Sequence, residues 1–212
     1  MAKLPELVNN NHKVCVICEG NEDCEYFKRL LELKVWNDTY DFSTVNAKSA
    51  SNIPARFEDI FYNDRFEVIL IFCDTDKHPH REYVQIKQKI NAFLNKRKVA
   101  EKMIIYANPC TMQIILSHFG EVYLKNQGKK TNASIIEKYT GVKNYDAHKE
   151  QIRNICQKIF RSNYYDMKQR VEAIHFCDTT SCSTNFIVFL NYFENADTTW
   201  INDIQKSLKS RD

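Results

Sequence analysis

Three acidic residues stand where apolar runs of the chain end. Glu19 follows the run Lys13–Cys18, and Asp74 and Asp76 follow the run Val68–Cys73. A carboxylate avoids low-dielectric surroundings unless it is paired or bound to a metal ion. In proteins Mg²⁺ takes oxygen ligands, usually one or two carboxylates together with phosphate and water. The pattern therefore predicts that Glu19, Asp74 and Asp76 form one acidic cluster that holds Mg²⁺ or Mn²⁺.

Residues next to these carboxylates are candidates for binding a nucleic acid. Gly20 follows Glu19 directly, which suits the close approach of a phosphate and equally a plain strand-to-helix turn. His78, His80 and Arg81 come after the Asp pair and could contact a phosphate or assist proton transfer. The alternative interpretation of these three is a solvated loop.

Some of the acidic residues also have simpler interpretations. Glu22, Asp23 and Glu25 fall in the first turn of a predicted helix, where acidic residues complement the helix dipole. One of them could still reach the metal cluster. Asp76 could cap the helix that begins near Pro79.

Basic residues and one histidine complete the set of candidates. Lys125, Lys129 and Lys130 lie in a predicted polar loop and could follow a nucleic-acid backbone, although charged loops are usually just solvated. The net charge of only +3 means that any basic surface must be local. His118 falls in an apolar helical stretch, where a hydrogen-bonded core histidine is more common than a catalytic one.

The first half of the chain alternates between strand and helix patterns. This alternation predicts an α/β fold with a Rossmann-like, mostly parallel sheet flanked by helices, whose ligands bind beyond the carboxyl ends of the strands. Asn108 also follows a predicted strand end. The predicted strands are 13–18, 41–46, 66–73 and 103–107, and the predicted helices are 22–35, 52–62, 81–98 and 111–124.

The second half shows no clear long strand. The sequence predicts an α/β domain over residues 1–125 and a mainly helical C-terminal extension over residues 126–212, which could belong to the same domain. The predicted helices of the extension are 134–139, 149–164, 184–193 and 198–208.

Composition narrows the class of protein. The 212 residues include no stretch close to the roughly 20 apolar residues of a membrane span, and the N-terminus lacks the apolar core of a signal peptide. We therefore expect a cytosolic protein without a membrane partner. Cys15 and Cys18 have a zinc-like spacing, but residues three apart in a strand point to opposite faces, so zinc is not expected.

The order of these motifs resembles a known family. Glu19-Gly20 at the end of a first strand, with Asp-x-Asp at the end of a later one, looks like the Toprim domain. Residues 107–119, Ala-Asn-Pro-Cys-Thr-Met-Gln-Ile-Ile-Leu-Ser-His-Phe, resemble the Asn-Pro-Cys-Phe-Glu-x-x-x-x-x-His-Phe element of the RloB-like family of Toprim-domain proteins, which are related to OLD-type nucleases. Residues 183–190 are similar to the family's C-terminal Ser-Thr-x-x-x-x-x-Leu helix. The resemblance spans most of the chain and is strongest over residues 13–119.

The resemblance implies a Toprim-like fold and Mg²⁺-dependent cleavage of phosphodiester bonds, in a family linked to bacterial phage-defence and restriction loci. It implies that Glu19 is a metal ligand or a general acid or base, and that Asp74 and Asp76 are metal ligands. His118 matches the family histidine, which implies a catalytic role for it.

One position departs from the family pattern. An alignment without gaps puts Met112 where the family often has glutamate. Methionine neither binds Mg²⁺ well nor transfers protons, so the protein could be slower, could use Glu121 instead, or could have lost the activity.

Three functions remain open from the sequence. The leading hypothesis is a metal-dependent nuclease acting on DNA or RNA. The alternative is a non-catalytic nucleic-acid or nucleotide-binding protein that works beside a partner such as an ATPase encoded nearby. A Toprim enzyme of the topoisomerase type would need a tyrosine nucleophile on a separate domain, for which this chain is short.

Overall fold

The fold is built on one five-stranded sheet. A computed structural model describes residues 11–63, 65–75, 80–174 and 182–209. The strand order is β2-β1-β3-β4-β5; the first four strands are parallel, and β5 runs antiparallel to β4. The strands are β1 (His12–Cys18), β2 (Tyr40–Asn46), β3 (Val68–Asp74), β4 (Ile104–Asn108) and β5 (Ser183–Thr184). The predicted α/β class and the mostly parallel sheet are confirmed.

Helices of the first half follow the strands, as the alternation predicts. Strand β3 is buried from Val68 to Cys73, which explains its unbroken apolar sequence: helices cover both faces of a central parallel strand. The helices are α1 (Asn21–Leu33), α2 (Ile53–Tyr62), α3 (Arg81–Leu94) and α4 (Thr111–Ser117).

Helix α4 ends earlier than predicted. The sequence predicts a helix to Leu124, but the helix ends at Ser117. The buried side chain of Gln113 explains the difference, because it donates to the Val122 carbonyl (2.6 Å) and accepts from the Leu124 amide (2.8 Å). These bonds satisfy two buried backbone groups of the segment that follows the helix.

Three of the four predicted C-terminal helices are confirmed, with changed bounds. The predicted helix 149–164 is wrong as one element: it is two helices, separated where the Asn163 side chain accepts from the Phe160 amide (2.7 Å). The helix predicted at 134–139 begins earlier, at Lys129. The five helices are α5 (Lys129–Thr140), α6 (Lys149–Gln157), α7 (Arg161–Glu172), α8 (Phe186–Glu194) and α9 (Thr199–Lys209).

Strand β5 was not predicted, because a strand of two residues is too short to show a pattern in the sequence. The side chain of Asn185 extends its pairing with β4: it accepts from the Tyr106 amide (2.9 Å) and donates to the Ile104 carbonyl (2.7 Å). An amide side chain carries the same donor and acceptor as a peptide group, so Asn185 acts here as one more sheet residue.

The core is continuous across the predicted boundary at residue 126. Phe186 stacks on Phe72 of β3, with ring centroids 5.5 Å apart, and Phe193 packs edge-to-face on Phe27 of α1 at 6.3 Å. Within the ranges that the structure describes, no helix is long and apolar enough to cross a membrane.

Candidate functional site

Two of the three predicted acidic residues meet at the carboxyl ends of neighbouring strands. Glu19 follows β1 and Asp74 ends β3, and these strands pair in parallel. The backbone amide of Asp74 donates to Oε2 of Glu19 at 3.0 Å. Both side chains line one cleft of about 310 Å³. Asp76 and His78 lie outside the described residues, so their part in the site stays a prediction.

The start of α4 fixes the Asp74 carboxylate. The backbone amide of Thr111 donates to Oδ1 of Asp74 (2.7 Å), and the Thr111 hydroxyl lies 3.0 Å from the same oxygen. That hydroxyl also contacts the carboxylate of Asp23. Asn108, expected at the site, is buried, and its side chain donates to Ser183 Oγ (3.3 Å). The turn that follows it brings Thr111 to Asp23 and Asp74.

Asp23 is a buried acidic residue that lines the same cleft. Its pKa is raised to about 7. Burial is the main cause of this rise and the negative charge of Glu22 adds to it, while hydrogen bonds from Thr111 and from backbone amides oppose it. The backbone amide of Gly20 donates to Oδ2 of Asp23 at 2.8 Å. In this structure the Gly20 amide therefore binds a carboxylate, as in a plain strand-to-helix turn.

Glu22 faces the same cleft from the first turn of α1. It accepts a hydrogen bond from the hydroxyl of Tyr145, which belongs to the segment between α5 and α6. Burial raises the pKa of Glu22, whereas Tyr145 and the nearby charge of Lys129 lower it. The sequence analysis missed Tyr145, because 123 positions separate it from Glu22 and no local spacing connects them.

Only one of the three candidate lysines reaches the cleft. Lys129 lines it, whereas Lys125 and Lys130 do not. The prediction of a loop is wrong for Lys129 and Lys130, since they are the first two residues of α5. The Asn132 side chain donates to the Asn126 carbonyl (2.7 Å) and thereby ties the first turn of this helix to the preceding loop.

His118 lies in the core and does not line the cleft. Only 2% of its surface is exposed; its Nε2 is 2.9 Å from the hydroxyl of Tyr26, and its Nδ1 is 3.1 Å from the carbonyl of Asn163. Burial lowers its pKa to about 3, so the ring is neutral. The neutral ring accepts from Tyr26 and donates to Asn163. This geometry agrees with the interpretation of His118 as a hydrogen-bonded core residue.

His80 and Arg81 do not line the cleft either. His80 is buried, and its Nδ1 lies 2.8 Å from the Thr75 carbonyl. Arg81 is exposed at the start of α3 and does not line the cleft. Met112 does line it, but Glu121 is exposed and accepts from the Tyr123 hydroxyl (3.0 Å). Glu121 therefore does not supply a carboxylate in place of Met112, whereas Glu22 lines the cleft together with that methionine.

The donors present suit a hard cation that keeps part of its water. Glu19 and Asp74 offer carboxylate oxygens at one edge of the cleft, and Mg²⁺ commonly uses one or two protein carboxylates. The described part of the chain contains no group of three or more acidic, histidine or cysteine side chains placed to hold a metal ion. Cys15 and Cys18 are buried in the core, away from the cleft.

Comparison of the chain with protein-family models, with curated proteins and with solved structures finds no match.

Proposed function

We propose that the protein is a divalent-metal-dependent nuclease that hydrolyses phosphodiester bonds of DNA or RNA. The observation that carries the proposal is the meeting of Glu19 and Asp74 at adjacent strand ends, inside a cleft that Lys129 also lines. Carboxylates of the kind that hold Mg²⁺ and a cation that attracts phosphate both favour metal-assisted hydrolysis of a phosphodiester. The resemblance to the RloB-like Toprim family favours the same chemistry.

The residues have separate roles in this proposal. Glu19 and Asp74, with Asp76, would hold Mg²⁺ or Mn²⁺, and the ion would supply Lewis-acid polarisation of the phosphate. Thr111 keeps the Asp74 carboxylate in place through its amide and hydroxyl. Lys129 attracts the phosphate to the cleft.

The test uses variants that remove charge and keep shape. Purified wild type, Glu19→Gln and Asp74→Asn are incubated with single-stranded DNA, plasmid and RNA in Mg²⁺, Mn²⁺ or EDTA. We expect metal-dependent cleavage by wild type and a loss of about 100-fold or more in both variants, because each removes a ligand of the metal ion. Asp41→Asn, an exposed acidic residue of β2, is the matched control. Equal cleavage by wild type and Asp74→Asn, or none by wild type under all conditions, rejects the proposal.

The second candidate is a non-catalytic binding protein that works with a partner such as an ATPase. Met112 favours it, since this side chain lines the cleft where the family often has a carboxylate. Metal-dependent binding of nucleic acid without any cleavage, measured by calorimetry, would support this candidate over the nuclease.

A further inference from the structure

The cleft is lined by polar and by apolar side chains. Glu19 and Asp74 stand at the strand ends, and Glu22, which accepts a hydrogen bond from the Tyr145 hydroxyl, lines the cleft as well. Buried side chains supply the apolar part of the lining: Cys110, Met112, Ile136 and Ile152. Apolar side chains in a cleft that also offers carboxylates for a metal ion suit a ligand that has both a phosphate and an apolar face.

Two ion pairs and a hydrogen bond join α6 and the segment before it to α1. Arg153 of α6 donates to Glu25 at 2.7 Å, and Lys149 lies 3.6 Å from the same carboxylate. The hydroxyl of Tyr145 binds Glu22 one turn earlier on α1.

The size of the cleft limits what can enter. A volume of about 310 Å³ lies at the small end of ligand pockets, which run from about 300 to 1,000 Å³. In a duplex each base is stacked and paired, so a duplex would bring only sugar and phosphate to the opening. An unpaired nucleotide presents the apolar face of its base as well as its phosphate.

We propose that the cleft binds one unpaired nucleotide, with the phosphate near Glu19, Asp74 and Lys129 and the base against the apolar side chains of the lining. The natural substrate class is then single-stranded nucleic acid, or a strand end or loop that leaves the duplex. This inference rests on the proposed function for the position of the phosphate. A free mononucleotide carries the same two chemical features, and the experiment separates the two sources.

Binding is measured without turnover, by fluorescence anisotropy in Ca²⁺. The probes are a short labelled single-stranded oligonucleotide, the blunt duplex of the same sequence, and that duplex with a single-stranded overhang. We expect the duplex to bind at least about tenfold more weakly than the single strand, since stacking of a base on a protein surface contributes enough for that factor. The overhang should restore the affinity. Equal affinity for duplex and single strand, or no binding of either, overturns the inference.

Competition with a nucleoside monophosphate identifies the source of the nucleotide. If the monophosphate displaces the oligonucleotide at a concentration similar to that of the oligonucleotide, the cleft is a site for a free nucleotide. If displacement needs a concentration of monophosphate about 100-fold higher, the cleft is a site for a strand. Both outcomes support binding of an unpaired nucleotide. A preference for the single strand without any cleavage in Mg²⁺ or Mn²⁺ would support this inference and reject the nuclease.

A pair of variants tests whether the preference for single strands over duplex depends on the cleft. Gln127 lines the cleft, and Ser134 is exposed on α5 outside it. Gln127→Trp should fill part of the space and weaken single-strand binding about tenfold, while Ser134→Trp should bind like wild type. Melting curves show whether both variants are folded. Unchanged binding by a folded Gln127→Trp places the nucleotide elsewhere and contradicts the inference.

Discussion

At the scale of single residues, two side chains of the same type and adjacent in sequence can differ in whether they line the cleft. Lys129 and Lys130 are neighbours of the same type at the start of α5, yet only Lys129 lines the cleft. Three of the acidic side chains lining it, Glu19, Glu22 and Asp74, are half-buried. Among the described residues that line the cleft, Lys129 supplies the one ammonium group, so under the proposed function it is the contact for an incoming phosphate.

Lys129→Ala should weaken binding of a single-stranded oligonucleotide several-fold. Loss of one phosphate contact should also lower the slope of log affinity against log salt by about 0.7. Anisotropy titrations at a series of salt concentrations give both numbers. Lys130→Ala is the matched control and should leave both unchanged. The same loss of affinity in both variants would mean that the lysines act only through the overall charge.

His118 should make stability depend on pH. In the folded protein its pKa is lowered from an ordinary value of 6.5 to about 3, so the ring stays neutral above about pH 3. Between these values the unfolded chain binds a proton that the folded chain does not, so stability falls as pH falls from 6.5 towards 3, by about 1.4 kcal/mol per pH unit. The expected total is several kcal/mol.

The measurement is urea unfolding of wild type and His118→Gln across this pH range. The variant should be less stable at pH 7, because its side chain cannot reproduce both hydrogen bonds, and its stability should change less on acidification. His148→Gln, at an exposed histidine, should follow the wild-type pH dependence. Parallel curves for wild type and His118→Gln would contradict this prediction, because they would mean that the pKa of His118 is similar in the folded and the unfolded chain.

At the scale of elements, the sequence predicts best where a pattern is local and long. Strand β1 begins one residue before its predicted start and ends where predicted, because its apolar run is continuous. Strand β5 and the early end of α4 depend on side chains that replace backbone partners, namely Asn185 and Gln113. Periodicity carries no signal for such bonds, since they join residues through tertiary structure.

Gln113→Ala should destabilise the protein by about 2–4 kcal/mol. The substitution leaves the Val122 carbonyl and the Leu124 amide without their partner in a buried place, and each unsatisfied group costs about 1–3 kcal/mol. Chemical denaturation measures the change. Gln169→Ala, at an exposed glutamine of α7, should stay within about 0.5 kcal/mol of wild type. A loss below about 1 kcal/mol for Gln113→Ala would show that water replaces these bonds.

At the scale of the whole molecule, the two halves of the chain build one site. The strand ends supply Glu19 and Asp74, and the helical half supplies Lys129 and Tyr145. The acidic half of the site follows from the sequence, because the carboxyl ends of parallel strands meet at one edge of a sheet. The other half does not, since it depends on how distant helices pack. The predicted boundary at residue 126 therefore runs through the site.

The same packing predicts that residues 1–125 do not fold alone. Helix α8 covers the sheet with large buried side chains: Phe186, Phe189, Leu190 and Phe193. Burial of these four contributes on the order of 10 kcal/mol, comparable with the whole stability of a typical domain. We expect the fragment 1–125 to lack a cooperative thermal transition by circular dichroism, and added fragment 126–212 to restore one. A transition in 1–125 alone, near the melting temperature of the full chain, would show instead that the α/β half is an independent domain.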